Sequence, residues 1–460
     1  MKNWTHQRVL ILGAARQGLA LARFLSSRGA VVTLNDNRPA EKMTAALEAL
    51  KDYPVHWVLG EHPLELLGNT DLVCVSGGIP LTLPILAEAQ RKGLPVSNDS
   101  QIFLESVSAK VAGITGSAGK TTTTTLLGRM AEAAVKAPHR VWVGGNIGLP
   151  LIDRVDEIQA EDIVILELSS FQLELMTTSP AIAAVLNITP NHLDRHGTLE
   201  AYTAAKARIL DTQDETCTAV LGHEDPGAWS LTNRVHGHLV TFGFERSRSG
   251  LRGTYLNGSD LVLFDGERVR KILPANRVLL RGRHNILNVL AACAIAYAMG
   301  LPVEAMAAGV EGFTGVPHRL EFVREINGVK WYNDSIATAP ERTIAALRSF
   351  REPMVLLLGG RDKDLPWEKL ASLVREQIDH VILFGEAAEK VKTALGTLHN
   401  GSRPYSLTVC GGLQEAVQAA HQVAEPGDVV LLSPGGTSFD EFNDYEERGE
   451  QFRLWVKQLT

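Results

Sequence analysis

GITGSAGKTTTT, residues 113–124, is a glycine-rich turn that runs into a row of threonines. It almost repeats the phosphate-binding pattern G-x-x-x-x-G-K-[ST], but five residues rather than four separate Gly113 from Gly119, and Ile114 stands where the pattern has glycine. What survives is TGxxGKT behind the apolar segment KVAGIT, which predicts a strand entering the turn and a helix starting near Lys120. In such a loop Gly116 and Gly119 let backbone N–H groups approach phosphate oxygens. Lys120 places charge between the β- and γ-phosphates, and the Thr121 hydroxyl suits magnesium. The expectation is a nucleoside triphosphate site; the plainer reading is a glycine-rich helix start.

Outward from this loop, apolar strands alternate with helical patterns in three blocks. The first contains RVLILG, HWVLG and DLVCVSGG; the second runs from KVAGITG through DIVILELSS and AIAAVLNI to FTGVPHR; the third contains PMVLLLGG, HVILFGE and DVVLLSPGG. Near-continuous apolar strands are buried on both faces, which predicts parallel sheets covered by helices. We expect an α/β protein of three domains, 1–107, 108–315 and 316–460. The first and third are Rossmann-like, and the central one carries a parallel sheet of the P-loop ATPase type. Between residues 216 and 282 the shorter segments HLVTFGF, TYLNG and DLVLFDG predict a small antiparallel appendage.

A chain of 460 residues is long enough for several domains, each with its own core. Its 45% hydrophobic and 21% charged residues, with a net charge of −7 and no basic run, exclude a nucleic-acid binder that tracks a phosphate backbone. Cys74, Cys217, Cys293 and Cys410 lie far apart without a CxxC pair, so neither a disulfide framework nor a thiolate zinc site is indicated. MKNWTHQRVLILGAARQG has only a short apolar stretch, and LAACAIAYAMG is too short to span a bilayer. We expect a cytoplasmic protein.

Open parallel sheets bind ligands beyond the carboxyl ends of their strands. DIVILELSS delivers Glu167 to such an end, and AIAAVLNITPNHLDRH delivers His192 just past another, so loop, acid and imidazole can converge. In TLEAYTAAKARIL, residues Leu199, Tyr202, Lys206, Ile209 and Leu210 share one helical face, which puts Lys206 on the apolar stripe. A buried lysine has a lowered pKa and needs a partner. A neutral amine there could take up carbon dioxide as a carbamate; alternatively, Lys206 snorkels, Glu167 caps a helix and His192 is an ordinary loop residue.

In order along the chain, TGSAGKTTT, GGNIGLP, ELSSFQLE, NITPNHLDRH, the lysine of AAKARIL, GRHNILN, GVPHRLE, NDSIAT, LLLGG and LLSPGGTSFDEFNDYEERG resemble the motifs of the Mur ligases, across all three blocks. The tail matches the glutamate-adding branch. The resemblance implies that ATP phosphorylates the terminal carboxylate of UDP-N-acetylmuramoyl-L-alanine and that the amine of D-glutamate then attacks the acyl phosphate, in peptidoglycan precursor synthesis. Activation is needed because a carboxylate is a poor electrophile and repels the phosphoryl oxygens. A monomer is expected.

The same resemblance implies an ATP site formed by Thr115, Gly116, Ser117, Ala118, Gly119, Lys120, Thr121 and Thr122, with Asn285, Asn288, Arg319 and Asp334. Thr121 and Glu167 would hold one magnesium, and His192 with carbamylated Lys206 a second, about 4 Å apart. Lys120, Glu167, His192, Lys206 and Arg319 are the expected catalytic residues, Arg319 bridging γ-phosphate charge. Thr338, Lys363, Ser438, Phe439 and Tyr445 would surround the amino acid. VLILGAARQGLA is a G-x-A-x-x-G variant of the dinucleotide fingerprint, and by resemblance Asp36, Arg38 and Gly78 meet the uridine nucleotide and Asn146 the sugar and diphosphate. Taken singly, these residues also read as caps, turns and solvated charges, Lys363 pairing with its neighbours in RDKD.

Four positions depart from the family pattern: Ala118 for asparagine, SGGIP for SPGI, Ile336 for lysine and Ala339 for asparagine. Loss of a cation at 336 bears on which amino acid, or which enantiomer of glutamate, is accepted; D-glutamate is kept ahead of L-glutamate. The rivals are a ligase for another amino acid or a folate tail, a nicotinamide-dependent oxidoreductase, and a non-catalytic nucleotide-switched module. The oxidoreductase leaves GKTTTT and ELSS unexplained, and Lys120, Glu167, His192 and Lys206 together argue against the module.

Overall fold

The computed structural model describes residues 3–148, 150–248, 250–363, 365–397 and 402–460. Leu149 of GGNIGLP and Asp364 of RDKD lie outside the described residues. The chain forms two compact units, Met1–Leu279 with Arg283–Phe313, and Leu280–Gly282 with Thr314–Thr460. The larger unit holds two sheets and the smaller one a third. Among the described residues no helix is long and apolar enough to cross a membrane.

The first sheet consists of β1 (Arg8–Leu12), β2 (Val31–Asp36), β3 (Val55–Leu59), β4 (Leu72–Val75) and β5 (Val96–Ser97). All neighbours are parallel in the order β3-β2-β1-β4-β5. The order reverses between β1 and β4, and the turn after β1 opens into that switch point. There the helix Arg16–Ser27 packs so closely that a Cβ on Gly18 would lie 1.9 Å from the Gly13 carbonyl oxygen. Glycine at 18 is therefore a packing requirement.

The central sheet contains β6 (Val111–Thr115), β7 (Val141–Gly145), β8 (Ile163–Glu167), β9 (Ile182–Val185), β10 (Thr218–Gly222), β11 (His238–Phe242), β12 (Gly253–Asn257), β13 (Asp260–Phe264) and β14 (Val269–Pro274). Their order is β14-β13-β12-β11-β10-β9-β6-β8-β7. The apolar strand β6 is buried throughout and lies between β8 and β9. Its loop therefore has the ends of those two strands on either side. The antiparallel appendage continues the end of this sheet: β12–β14 are antiparallel, but β11, grouped with them on sequence, is parallel to β10 and β12. The reason is connectivity. β12 and β13 are joined by a tight turn at Gly258, with φ +61°, whereas β10 and β11 are joined through the helix Pro226–Trp229, long enough for a parallel return.

The third sheet contains β15 (Glu321–Ile326), β16 (Val329–Asn333), β17 (Met354–Gly359), β18 (His380–Phe384), β19 (Ser406–Cys410) and β20 (Val429–Gly435), ordered β15-β16-β20-β17-β18-β19. Only β15 and β16 are antiparallel, turned by Asn327 and Gly328 at φ 51° and 80°. Apolar clusters cover both faces, one around Leu356, Leu431 and Trp367, the other around Trp331, Val430 and Phe452. Because β20 lies between β16 and β17, the loops after all three strands meet at one edge.

A buried arginine ties two of those loops together. Arg448, on the helix Tyr445–Gln458, is 0% exposed. Its Nε donates to Ser335 Oγ at 2.9 Å, Nη2 to the Ser335 carbonyl at 2.8 Å and Nη1 to the Gly436 carbonyl at 3.2 Å. Burial lowers its pKa to about 10, against the pull of Asp440 and Glu441. Replacing Arg448 with methionine leaves those buried acceptors without donors. The unfolding free energy should fall by about 3 kcal/mol, read as a lower urea midpoint.

Candidate active site

The glycine-rich loop leaves β6 and ends at the helix Lys120–Ala134, whose N-cap Gly119 has φ +83°. A side chain at 119 would be strained in this conformation, and its Cβ would lie 2.2 Å from Asn288 Oδ1. Asn288 is thus seated against the loop, and its Nδ2 donates to Asn285 Oδ1 at 2.9 Å. Both asparagines belong to the helix Arg283–Ala298. Asn187, just past β9, was not singled out on sequence. Its carbonyl accepts the Ser117 N–H at 2.9 Å, and its Oδ1 accepts the Ala118 N–H at 2.8 Å while Nδ2 donates to the Ala118 carbonyl at 3.1 Å. These contacts commit the Ser117 and Ala118 amides. The N–H groups of the first turn of the helix lack intrahelical partners and are the ones that suit an anion.

Glu167 ends β8 opposite Ile114 of β6 and is 1% exposed. Its Oε1 accepts from Asn146 Nδ2 at 2.9 Å, and its carbonyl accepts the Asn146 N–H at 2.8 Å. Asn146, expected on sequence at the sugar and diphosphate, therefore holds the acidic group. Glu167 Oε2 is buried with no hydrogen-bond partner. A buried carboxylate oxygen left this way fits a cation ligand, and Thr121 stands in the first turn of the adjoining helix. Among the described residues no three His, Cys, Asp or Glu side chains gather as a metal cluster. A magnesium ion here would draw on one carboxylate, a hydroxyl and phosphate oxygens, the donor set this hard ion favours.

Lys206 lies on the helix Leu199–Ala207 and is 1% exposed, as the apolar stripe predicted. The helix ends before Ile209 and Leu210, which stay fully buried beyond it. Lys206 Nζ donates to the Gly116 carbonyl at 3.0 Å and to Thr115 Oγ1 at 3.3 Å, and lies 4.6 Å from the centre of the Tyr202 ring. Lys120 Nζ reaches the same Gly116 carbonyl at 2.8 Å. Burial, and then repulsion from Lys120, lower the Lys206 pKa to about 7, while Glu167 works the other way.

His192 takes a left-handed backbone, φ 53°, at the start of the short helix Leu193–His196, an uncommon conformation for a non-glycine residue. Its ring meets Phe171 edge-on at 5.2 Å; Phe171 stacks on His196 at 5.2 Å, and His196 meets Tyr202 at 5.2 Å. This row of rings links His192 to the Lys206 helix. His196, Arg195 and Tyr202 were not expected as site residues. His196 Nε2 pairs with Ser170 Oγ at 3.0 Å, and Tyr202 Oη donates to Ser117 Oγ at 3.2 Å. Arg195 covers the Phe171 ring at 4.0 Å and donates to the Ile79 carbonyl at 2.5 Å, which joins the NHLDRH segment to SGGIP of the first sheet. Gly78 in SGGIP is exposed.

At the first sheet, Asp36 accepts the Ala14 N–H at 2.9 Å and both Nε and Nη2 of Arg38 at 2.8 Å. Burial works to raise its pKa, but the Arg38 guanidinium and the Ala14 and Arg38 amides outweigh it and hold the carboxyl at about 2. The acid is thereby tied to the turn that would cradle a dinucleotide and to its own arginine.

In the smaller unit, Arg319 is exposed between His318 and Leu320, both left-handed at φ 63° and 43°. Asp334 follows β16, accepts from Ser433 Oγ at 2.8 Å and the Leu320 N–H at 3.1 Å, and is raised to about 7 by burial. Ser438 is buried, Phe439 is 60% exposed, and Tyr445 is half-buried with its hydroxyl 3.1 Å from Glu446 Oε1. Thr338 follows Ile336, whose carbonyl accepts the Thr338 N–H at 2.9 Å. Asp362, a neighbour proposed for Lys363, instead pairs with Lys390 and accepts from Trp367 Nε1 at 3.0 Å. Among the described residues Lys363 makes no ion pair.

The Lys206 pKa has a consequence for stability. In the unfolded chain its ammonium titrates near the ordinary 10.5, and in the fold near 7. Between those values the unfolded chain holds the extra proton, so stability rises with pH across that window. In urea titrations from pH 7 to about 9.5, within that window, the wild-type unfolding free energy should climb relative to Lys206→Met. A constant difference would show that Lys206 keeps its ordinary pKa.

Comparison with known proteins places this geometry. Family models described as Mur ligase MurD-like N-terminal domain, Mur ligase middle domain, and Mur ligase glutamate ligase domain match residues 7–98, 114–296 and 318–436. The UDP-N-acetylmuramoylalanine–D-glutamate ligase of Symbiobacterium thermophilum is 40% identical over 454 residues, 99% of this chain and 98% of its own. The protein of that name from Geotalea uraniireducens is 39% identical over 457 residues, 99% and 98% of the two chains. Among solved structures, MurF from Acinetobacter baumannii aligns with a TM-score of 0.55 at 18% identity, over 98% of this chain and 94% of its own. UDP-N-acetylmuramate-alanine ligase MurC from Thermotoga maritima aligns at 0.53 and 18%, over 98% and 100%. These two share the three-sheet α/β fold. The chain belongs to the Mur ligase family.

Proposed function

We propose that the chain is an ATP-dependent, ADP-forming amide ligase that joins D-glutamate to UDP-N-acetylmuramoyl-L-alanine in peptidoglycan precursor synthesis. The observation that carries this reading is full-length relatedness, at 40% identity, to ligases named for that reaction. It acts in the cytoplasm as a monomer and supplies cell-wall growth, cell shape and division. The domain limits remain those proposed from sequence, 1–107, 108–315 and 316–460.

In this reading the first turn of Lys120–Ala134 receives the triphosphate, with Gly119, Thr121 and Thr122 at its start and Asn285 and Asn288 packed beside it. Lys120 carries charge toward the γ-phosphate, and Arg319 adds charge from the third domain. Asp334 is assigned to the ribose. Glu167 and Thr121 would hold one magnesium, and His192 with a carbamate on Lys206 another; cations bound there would offset the repulsion between phosphate and carboxylate. Asp36, Arg38, Gly78 and Asn146 orient the uridine-nucleotide acceptor. A carboxylate oxygen of that acceptor bonds to the γ-phosphorus as ADP leaves. The amine of glutamate, placed by Thr338, Lys363, Ser438, Phe439 and Tyr445, then attacks the acyl carbon, loses a proton and expels phosphate. The Lys206 environment supports carbamylation, because a buried amine with a pKa of about 7 is largely uncharged and nucleophilic just above neutrality.

Phosphate release with ATP and UDP-N-acetylmuramoyl-L-alanine, measured against a panel of D- and L-amino acids, should show D-glutamate as the preferred acceptor amine. A preference for L-glutamate or another amino acid would overturn the substrate assignment. Lys206→Ala should lose turnover and regain part of it with added short carboxylates such as acetate, which supply the missing oxygen ligand. No recovery at any concentration would remove the carbamate from the site.

A further inference from the structure

We propose that Arg342 supplies the positive charge that receives one carboxylate of the incoming dicarboxylic amino acid, from beside Ile336, where its guanidinium rests on the Ile336 carbonyl. This inference rests on the ligase reading above and names a specificity-determining residue for it.

By the motif resemblance, NDSIAT has Ile336 where the pattern has lysine, and isoleucine brings no charge to that position. Arg342 lies in the first turn of the helix Pro340–Leu347, and its Nη1 donates to the Ile336 carbonyl at 3.2 Å. The next residue, Thr343, is fully buried and its hydroxyl donates to the Ser433 carbonyl at 3.1 Å, which fixes this turn against the carboxyl-terminal part of β20. Arg342 therefore stays exposed while its neighbour anchors the helix.

Although Arg342 is exposed along its length, desolvation of its charged end and then repulsion from Arg319 lower its pKa, with Asp334 and Tyr445 opposing. Lys363 is lowered by desolvation and by Arg342 itself. Asp334, the carboxylate within range, is already engaged by Ser433 and Leu320 and is raised to about 7, so it neutralises only part of this charge. Among the described residues Arg319, Arg342 and Lys363 form no ion pair. Three mutually repelling cations at one sheet edge are relieved by a bound anion. Arginine suits the position because its planar fork can keep one N–H on the Ile336 carbonyl while two others meet both oxygens of a carboxylate side by side.

The test is phosphate release by the full chain with ATP and UDP-N-acetylmuramoyl-L-alanine while D-glutamate is titrated. Arg342→Ala should raise the KM for D-glutamate by roughly tenfold to a hundredfold, with the KM values for ATP and the nucleotide moving less than about twofold. Adding Ile336→Lys to Arg342→Ala should return the glutamate KM toward wild type, and Arg342→Lys should fall between. D-isoglutamine and D-glutamine, each lacking one carboxylate charge, identify the carboxylate: discrimination against one of them should shrink in Arg342→Ala. With the wild type active and the variants unfolding at the wild-type temperature, an unchanged glutamate KM, or an equal rise for ATP, overturns the role of Arg342 alone. A wild type that releases no phosphate in response to any amino acid overturns the ligase reading and this inference together.

Discussion

Two ammonium groups converge on one carbonyl oxygen. Lys120 and Lys206 both donate to Gly116, from opposite ends of the chemistry: one is the loop lysine, the other the buried residue of a separate helix. Burial, and then repulsion from Lys120, lower the Lys206 pKa to about 7, so of the two it is Lys206 that sheds charge near neutrality. The shape of the phosphate loop and the reactivity of the buried amine are therefore one problem. Any change that opened the Lys206 site to water would restore its charge and push the two cations apart. Asn187 and Tyr202 reinforce the same loop, the first through Ala118 and the second through Ser117.

Sheet topology explains why these groups share a neighbourhood. With β6 between β8 and β9, the loop, Glu167 and the Asn187–His192 segment leave three adjacent strands at the same end. The smaller unit repeats the device, with β20 between β16 and β17 bringing the segments of Asp334, Lys363 and Ser438 to one edge. Arg448 closes that edge from beneath by holding Ser335 and Gly436. Parallel strands point the same way, so adjacent carboxyl ends make a site without long loops.

Charge at these edges is redistributed rather than simply present or absent. Asp36 of the first sheet is held at about 2 by Arg38 and the Ala14 amide, so an acid that resembles a dinucleotide determinant is already neutralised by its own chain. In the smaller unit Arg342, carried on the helix Pro340–Leu347, bonds back to the Ile336 carbonyl at 3.2 Å, and repulsion from Arg319 adds to desolvation in lowering its pKa.

The sequence by itself determined the α/β class, the strand-to-helix phosphate loop and the burial of Lys206, because each follows from local pattern: apolar runs, glycine spacing and a helical stripe. The placement of β11 went astray because strand direction depends on the length and path of a connection, which a short apolar run does not encode. Only the tertiary structure decided that Asn187 occupies two loop amides, that Asn146 grips Glu167, that His196 joins His192 to Tyr202, and that Arg342 stands beside Ile336. These contacts join residues that are distant along the chain or lie on different elements, and their geometry exists only once the sheets have brought the strand ends together.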